Sequence, residues 1–421
     1  MRRLACTLAI ALLACRGRDD RSRDDGASAP SAASSSMVPQ PPSAVLTSAP
    51  SPPSDALAGQ NLIVRFECAR CHDGAQREPV AENKHCFHCH QQITDGTFKA
   101  PAPLLAAWRP RARPLRFTPS LAGVGRLLRP DWVERFLLEP FDVRPACVPE
   151  MPRLALDASQ AHAIVQALVL AASQTALPAL APGGEGALEN GARLFKEKGC
   201  IACHSFSGSG LSPPAAAPEP LPRERVLAPD LRFARDRLVR DSVAPYILDP
   251  ESIKPGAAMP KPSVTEDEAR ALAAYILDSP LAPVPPPEPP PRLPLLDRPV
   301  TYNEVAERVL HKVCWHCHSQ PDFARGDGGP GNTGGFGFAP RRADLSAFEN
   351  LAAGYLDDQG QRVSLFDEPR GVPLLLEALL ARQAEARGDR AAIRGMPLGL
   401  PPLSPVDIQL VETWIAQGHL R

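Results

Sequence analysis

Four times along this chain two cysteines stand two residues apart with a histidine directly after the second: Cys68-Ala-Arg-Cys71-His72, Cys86-Phe-His-Cys89-His90, Cys200-Ile-Ala-Cys203-His204 and Cys314-Trp-His-Cys317-His318. No other feature constrains the fold as much. Two thiols about one helical turn apart reach one side of the backbone, and the imidazole that follows can point to the same place. Zinc ribbons also use paired Cys steps, but they do not need a His after each pair. A thioredoxin-like redox step would be single and would follow a strand.

The spacing is that of c-type haem attachment. Cys68, Cys71, Cys86, Cys89, Cys200, Cys203, Cys314 and Cys317 are the expected thioether positions, two for the vinyl groups of each porphyrin. His72, His90, His204 and His318 are the expected proximal iron ligands. The chain is thus predicted to carry four covalently bound haems c. Its composition agrees, because only 5% of residues are aromatic and a porphyrin supplies large flat apolar surface that no side chain then has to provide. A net charge of −1 gives no basic face for nucleic acid.

The N-terminus reads Met1-Arg2-Arg3, an apolar stretch from Leu4 to Ala14, then Cys15. This is a charged region followed by an apolar one too short to span a bilayer as a helix. Leu12-Leu13-Ala14-Cys15 resembles a bacterial lipobox, which implies a signal peptide over 1–14 and lipidation of Cys15; an ordinary secretory signal cleaved nearby is the alternative. On either reading the protein is exported, and the lipobox places it on the periplasmic face of a bacterial membrane. Residues 15–55 are charged, then rich in Ala, Ser and Pro, without hydrophobic periodicity, and read as a disordered tether.

Beyond the initiator and Met37, the methionines are Met151, Met259 and Met396, and each is followed by Pro. A helix-start signal comes after each pair: Asp157 with Gln160, the capping box Thr265 with Glu268, and Ser404-Pro405 ahead of a run from Val406 to Gln417 that Gly418 stops. Upstream, Thr118-Pro119-Ser120-Leu121 matches Ala228-Pro229-Asp230-Leu231. Phe136-Leu137-Leu138-Glu139-Pro140 matches Tyr246-Ile247-Leu248-Asp249-Pro250, and Arg144-Pro145 matches Lys254-Pro255. This is an internal repeat. The attachment segments repeat as well, with Gly59, Gly191 and Val305 opening the stretches that lead into Cys68, Cys200 and Cys314.

All three units resemble class I cytochrome c domains, and the third, with Met396-Pro397-Leu398-Gly399, is similar to the larger domains of planctomycete proteins. The resemblance implies an N-terminal helix bearing the attachment step, a loop delivering an axial Met, and a C-terminal helix crossing the first. It implies the axial pairs His72 with Met151, His204 with Met259, and His318 with Met396. The expected fold is mainly α: a domain over 56–180 with two haem motifs, a second over 185–280 with one, a Pro-rich linker over 281–297, and a third domain over 298–421 with one. The linker reads as a stiff polyproline-like spacer, compatible with the third domain being a mobile head. The Gly-rich stretch 326–337 and the segment Pro213–Pro222 read as loops.

The motif at Cys86–His90 is inserted in the first domain, and no fourth Met-Pro exists for it. Its distal ligand is left open among His85, His88, His162 and none. A rival scheme gives His85 to the iron of His72 and Met151 to that of His90. Cys147 reads as a free buried thiol, His311 and His316 have no required role, and His419 is expected in solvent.

Haems with both axial positions filled by protein cannot bind substrate, so the leading expectation is electron transfer between membrane or periplasmic redox partners. An oxidase, a reductase and a quinol-oxidising complex all fit, with the membrane engaged through the lipid anchor. The alternative is a peroxidase-like enzyme or gas sensor using one open iron at His90, and no catalytic acid–base constellation is assigned.

Overall fold

The computed structural model describes residues 54–75, 85–113, 115, 117–147, 150–172, 180, 184–216, 221–315, 317–319, 341–357 and 359–421. The expected signal peptide, Cys15 and nearly all of the tether lie outside the described residues, as do His316 and the Gly-rich stretch 326–337. The described part is mainly α. Its only sheet among the described residues is β1 (Tyr355–Leu356) against β2 (Arg362–Val363), antiparallel.

The first segment carries α1 (Ser54–Arg65), α2 (Cys86–Asp95), α3 (Ala102–Ala112), α4 (Val124–Leu127), α5 (Pro130–Leu138) and α6 (Ala158–Ala172). The second carries α7 (Ala187–Glu197), α8 (Arg223–Val226), α9 (Ala234–Arg237), α10 (Arg240–Leu248), α11 (Pro250–Ile253) and α12 (Glu266–Asp278). In the third, α13 (Tyr302–Val305) runs on as a π-helix over Ala306–Cys314, followed by α14 (Phe348–Ala352), α15 (Leu374–Ala386) and α16 (Pro405–Ala416).

The repeat's helices begin where their caps place them. Asp157 Oδ1 accepts from the Gln160 amide at 2.9 Å while Gln160 Oε1 accepts from the Asp157 amide at 3.2 Å. Thr265 and Glu268 close a full capping box on α12, and Ser404 accepts from the Asp407 amide with Pro405 in the first turn of α16. These helices then cross the attachment helices. A Cβ on Gly59 would lie 1.9 Å from the Ala163 carbonyl oxygen, and one on Gly191 would lie 2.2 Å from that of Ala271. Only glycine lets α1 meet α6, and α7 meet α12, so closely. In the third segment Val305, fully buried, holds the same place, and Val309, Leu310, Ile408, Val411 and Trp414 form the core around it.

The first two segments meet along a local two-fold relation. Leu128 and Leu238, the same number of residues ahead of Phe136 and Tyr246, form an antiparallel bridge. The Arg129 amide donates to the Arg237 carbonyl at 2.8 Å, and the equivalent Val239 amide donates to the Leu127 carbonyl at 2.9 Å.

Residues 281–297 contain neither helix nor strand, as the Pro content dictates. The third segment is nevertheless not a free head. Arg153 donates to the Ala391 carbonyl at 2.8 Å, Arg390 pairs with Glu139 at 3.3 Å, and Gly399 packs on Glu150 and Pro152. A stiff spacer sets reach, but complementary surfaces on the first and third segments decide position, and the spacer alone could not reveal them.

Candidate haem-attachment sites

Three of the four Cys-His steps share one local geometry. In each, the second Cys amide donates to the first Cys carbonyl and the His amide donates to the same oxygen. The His bonds measure 2.9 Å for His72, 3.0 Å for His204 and 2.9 Å for His318. This tight turn brings both Cys residues and the His into one turn of backbone. The ring is then fixed from behind: Nδ1 of His72 donates to the Pro119 carbonyl at 2.8 Å, that of His204 to Pro229 at 3.0 Å, and that of His318 to Ala343 at 3.0 Å. A backbone carbonyl can only accept, so Nδ1 carries the proton and Nε2 presents its lone pair. A metal-bound imidazole needs this arrangement. Burial lowers the proton affinity of all three rings, which keeps them neutral and ready to ligate near neutral pH. The donor set therefore fits a haem iron at each of the three.

The thiols fit as well. Burial pushes Cys68 up to about 11 and Cys314 up to about 12, and it raises Cys200 and Cys203. Thiols held protonated are poor nucleophiles and poor zinc ligands, but they match side chains destined for thioether bonds.

The step at Cys86–His90 is built differently. It occupies the first turns of α2, capped by His85, and α2 packs on α3 around Ile93, Trp108 and Ala112. It touches the first step directly, since the Cys71 thiol donates to Cys86, which holds Cys86 down to about 7. His85 Nε2 and His88 Nε2 each lie 3.3 Å from Asp73 Oδ1, with the two rings stacked at 3.6 Å. These three could be mistaken for a metal site. However, His85 Nδ1 accepts the His88 amide, so Nε2 holds the proton and faces Asp73 as a donor.

Of the expected axial methionines, Met151, Met259 and Met396 all sit half-buried on loops ahead of α6, α12 and α16. The Met396 amide donates to the Ala378 carbonyl at 2.9 Å, which pins its loop to α15. His162 is half-exposed and faces Glu134 at 2.7 Å. The Cys147 thiol donates to the Val226 carbonyl at 3.4 Å, and the His311 ring lies tilted against Trp315, with centroids 3.4 Å apart. His419, expected in solvent, lies half-buried on Phe366 at 3.7 Å, because the turn at Gly418 folds the tail back over α16. Sequence reasoning found the Pro119/Pro229 match without its role as the imidazole acceptor. It had no signal for Ala343, since any backbone carbonyl serves there.

No curated protein and no solved structure matches the chain. Residues 188–280, which run from α7 with its Cys200–His204 step to the end of α12, match the family model of cytochrome c, a family that implies covalently bound haem c and electron transfer.

Proposed function

We propose that the whole chain is an exported, lipid-anchored tetrahaem cytochrome that passes electrons between redox partners at the periplasmic face of a bacterial membrane. One observation carries the reading: the His–carbonyl geometry of the matched segment, His204 on Pro229, recurs at His72 on Pro119 and His318 on Ala343. Bound haem c supplies a one-electron couple, and its axial ligands set the potential. The residues of the chain fix the rings of His72, His204 and His318 and half-bury most of the thiols, and Met151, Met259 and Met396 would supply thioether ligands to the iron. The partner is an oxidase, a reductase or a quinol-oxidising complex, reached from the anchor at Cys15 over the tether.

A second reading is supported by the separate construction of the fourth step on α2. There, the iron held by His90 is left open, giving a peroxidase-like or gas-sensing centre. The pyridine haemochrome assay of the matured protein and its reduced spectrum under carbon monoxide test both. Four haems per chain with bands unmoved by the gas is the expected result. A gas-induced shift in about a quarter of the signal gives the second reading precedence, and fewer than four haems overturns the tetrahaem count.

A further inference from the structure

Arg382 and Glu385 are buried charges on α15, 2% and 6% exposed, in a helix whose other buried residues are Leu and Ala. Charges are costly to bury unless they are paired and hydrogen-bonded, so their partners show what they hold. Both ends of the Met396 loop rest on them. Just ahead of the methionine, the Gly395 amide donates to Glu385 Oε1 at 2.9 Å. Beyond it, Arg382 Nε donates to the Leu400 carbonyl at 2.8 Å. Between these two bonds the Met396 amide donates to the carbonyl of Ala378, also on α15. The two charged side chains face each other, Arg382 Nη1 to Glu385 Oε2 at 3.7 Å. The loop lies flat on the helix here, since a Cβ on Gly395 would meet Arg382 Cα at 2.4 Å and Glu385 Oε2 at 2.6 Å.

The same carboxylate reaches the first segment. Arg153 Nη1 lies 3.9 Å from Glu385 Oε1 and donates to the Ala391 carbonyl at 2.8 Å. Arg153 directly follows Met151-Pro152. Glu385 thus stands between two Met-Pro loops, holding one by a backbone amide and the other by charge. We propose that Arg382 and Glu385 are positioning residues for two axial methionines. They clasp the Met396 loop at both ends, and Glu385 acts through Arg153 on the Met151 loop, so one carboxylate of the third segment steadies thioether ligation at two irons. The proposal rests on haem c being bound with Met151 and Met396 as ligands. A loop pinned on both sides of its ligand loses little freedom when the thioether meets the metal, so the bond resists competitors. A loop without its pins must be ordered in the act of ligation, and a free competing ligand gains by that cost.

The test uses the matured full-length protein, with imidazole as the competitor for the distal position. Displacement is followed in the oxidised state by loss of the charge-transfer band of methionine-bound iron. A wild type without that band removes the underlying reading, separately from this proposal. Met151→Ala, Met259→Ala and Met396→Ala assign each methionine its share of the band. Glu385→Ala is expected to lower the imidazole concentration that displaces Met396 and Met151 by about tenfold, the worth of ordering roughly one residue, and to leave Met259 in place. Arg382→Gln should ease Met396 by a similar factor. Glu385→Gln, whose amide oxygen still accepts from Gly395, should keep Met396 in place and ease Met151, as should Arg153→Gln. Val305→Ala weakens the core of the third segment away from the clasp and should move none of them. Met396 unmoved in Glu385→Ala or Arg382→Gln, Met151 unmoved in Glu385→Ala, or an equal shift in Val305→Ala overturns the proposal. If Glu385→Ala or Arg382→Gln fails to mature, Glu385→Gln and Arg153→Gln decide. Easier displacement of Met151 in both, with Met396 in place, upholds the clasp, and any other pattern overturns it.

Discussion

Gly399 of the third segment stands against the carbonyl oxygen of Glu150 in the first, so that a Cβ on Gly399 would meet that oxygen at 3.1 Å. Each of these residues sits beside a Met-Pro step, Met151-Pro152 on one side and Met396-Pro397 on the other. The loops proposed to deliver two axial ligands therefore lie together, and the first segment adjoins both of its neighbours, one through these loops and one through the Leu128–Leu238 bridge.

This contact carries a prediction about the Pro-rich linker. A protease site placed between Val284 and Pro290 and then cut should leave the two pieces bound, and they should co-elute in size-exclusion chromatography. Adding Arg153→Ala with Gly399→Val should separate them. The first change removes the bond to the Ala391 carbonyl, and the second forces a β-branched side chain into a φ of +67° against Glu150. Left-handed backbone alone costs an L-residue about 1–2 kcal/mol. Separation of the unmodified pieces would restore the mobile head.

The sequence displayed the parts that are local. Thr265 and Glu268 announce the start of α12, and the Cys-x-x-Cys-His spacing announces the tight turns at His72, His204 and His318, because capping and turns need residue types at fixed spacing. The Leu128–Leu238 bridge was half legible: the repeat showed that the positions are equivalent, but pairing of equivalents depends on surface fit between segments far apart in the chain. The docking of Gly399 on Glu150 has no local signature at all.

The helix crossing gives a sharper test. Gly191→Ala should cost about 3 kcal/mol, because the new methyl would lie 2.2 Å from the Ala271 carbonyl oxygen and 2.6 Å from Tyr275 Cβ, and neither backbone can yield without opening α7 from α12. Gly59→Ala faces the Ala163 carbonyl at 1.9 Å and should behave alike. The equivalent Val305 should give the opposite pattern. There the core needs the larger side chain, so Val305→Ala should lose roughly 2 kcal/mol by leaving a cavity. Chemical denaturation of the three variants measures all of this, and tolerance of alanine at Gly191 would show that the crossing is looser than described.

The bridge between the first two segments can be probed one bond at a time. Val239 has φ −64° and ψ 120°, and its predecessor Leu238 has φ −94° and ψ 144°. Proline fits both conformations. Val239→Pro should keep α10 intact and delete only the amide that donates to the Leu127 carbonyl. Leaving that carbonyl unpaired should cost about 1 kcal/mol, visible as a lower denaturation midpoint with unchanged helix content. Arg129→Pro, at the equivalent position, should reproduce the effect. A marked fall in helicity would mean that the backbone there departs from these angles.

The cap of α12 sets a pH dependence whose sign is fixed. Glu268 lies below the usual carboxylate range, because it accepts the Thr265 amide and pairs with Lys198 at 2.9 Å. A carboxylate with a depressed folded value binds its proton later than in the unfolded chain, so its stabilisation is complete above about pH 4.3 and is lost as pH falls through the lower folded value. Glu268→Gln should therefore flatten part of the acid limb of the stability curve and leave stability near pH 8 lowered. Thr265→Ala removes the other half of the box and should cost about 1 kcal/mol at every pH. Thermal unfolding followed from pH 3 to 8 separates the two. Parallel curves for wild type and Glu268→Gln down to pH 3 would mean that this carboxylate gains nothing from its partners, and the start of α12 would then owe its position to the Thr265 cap and the crossing at Gly191.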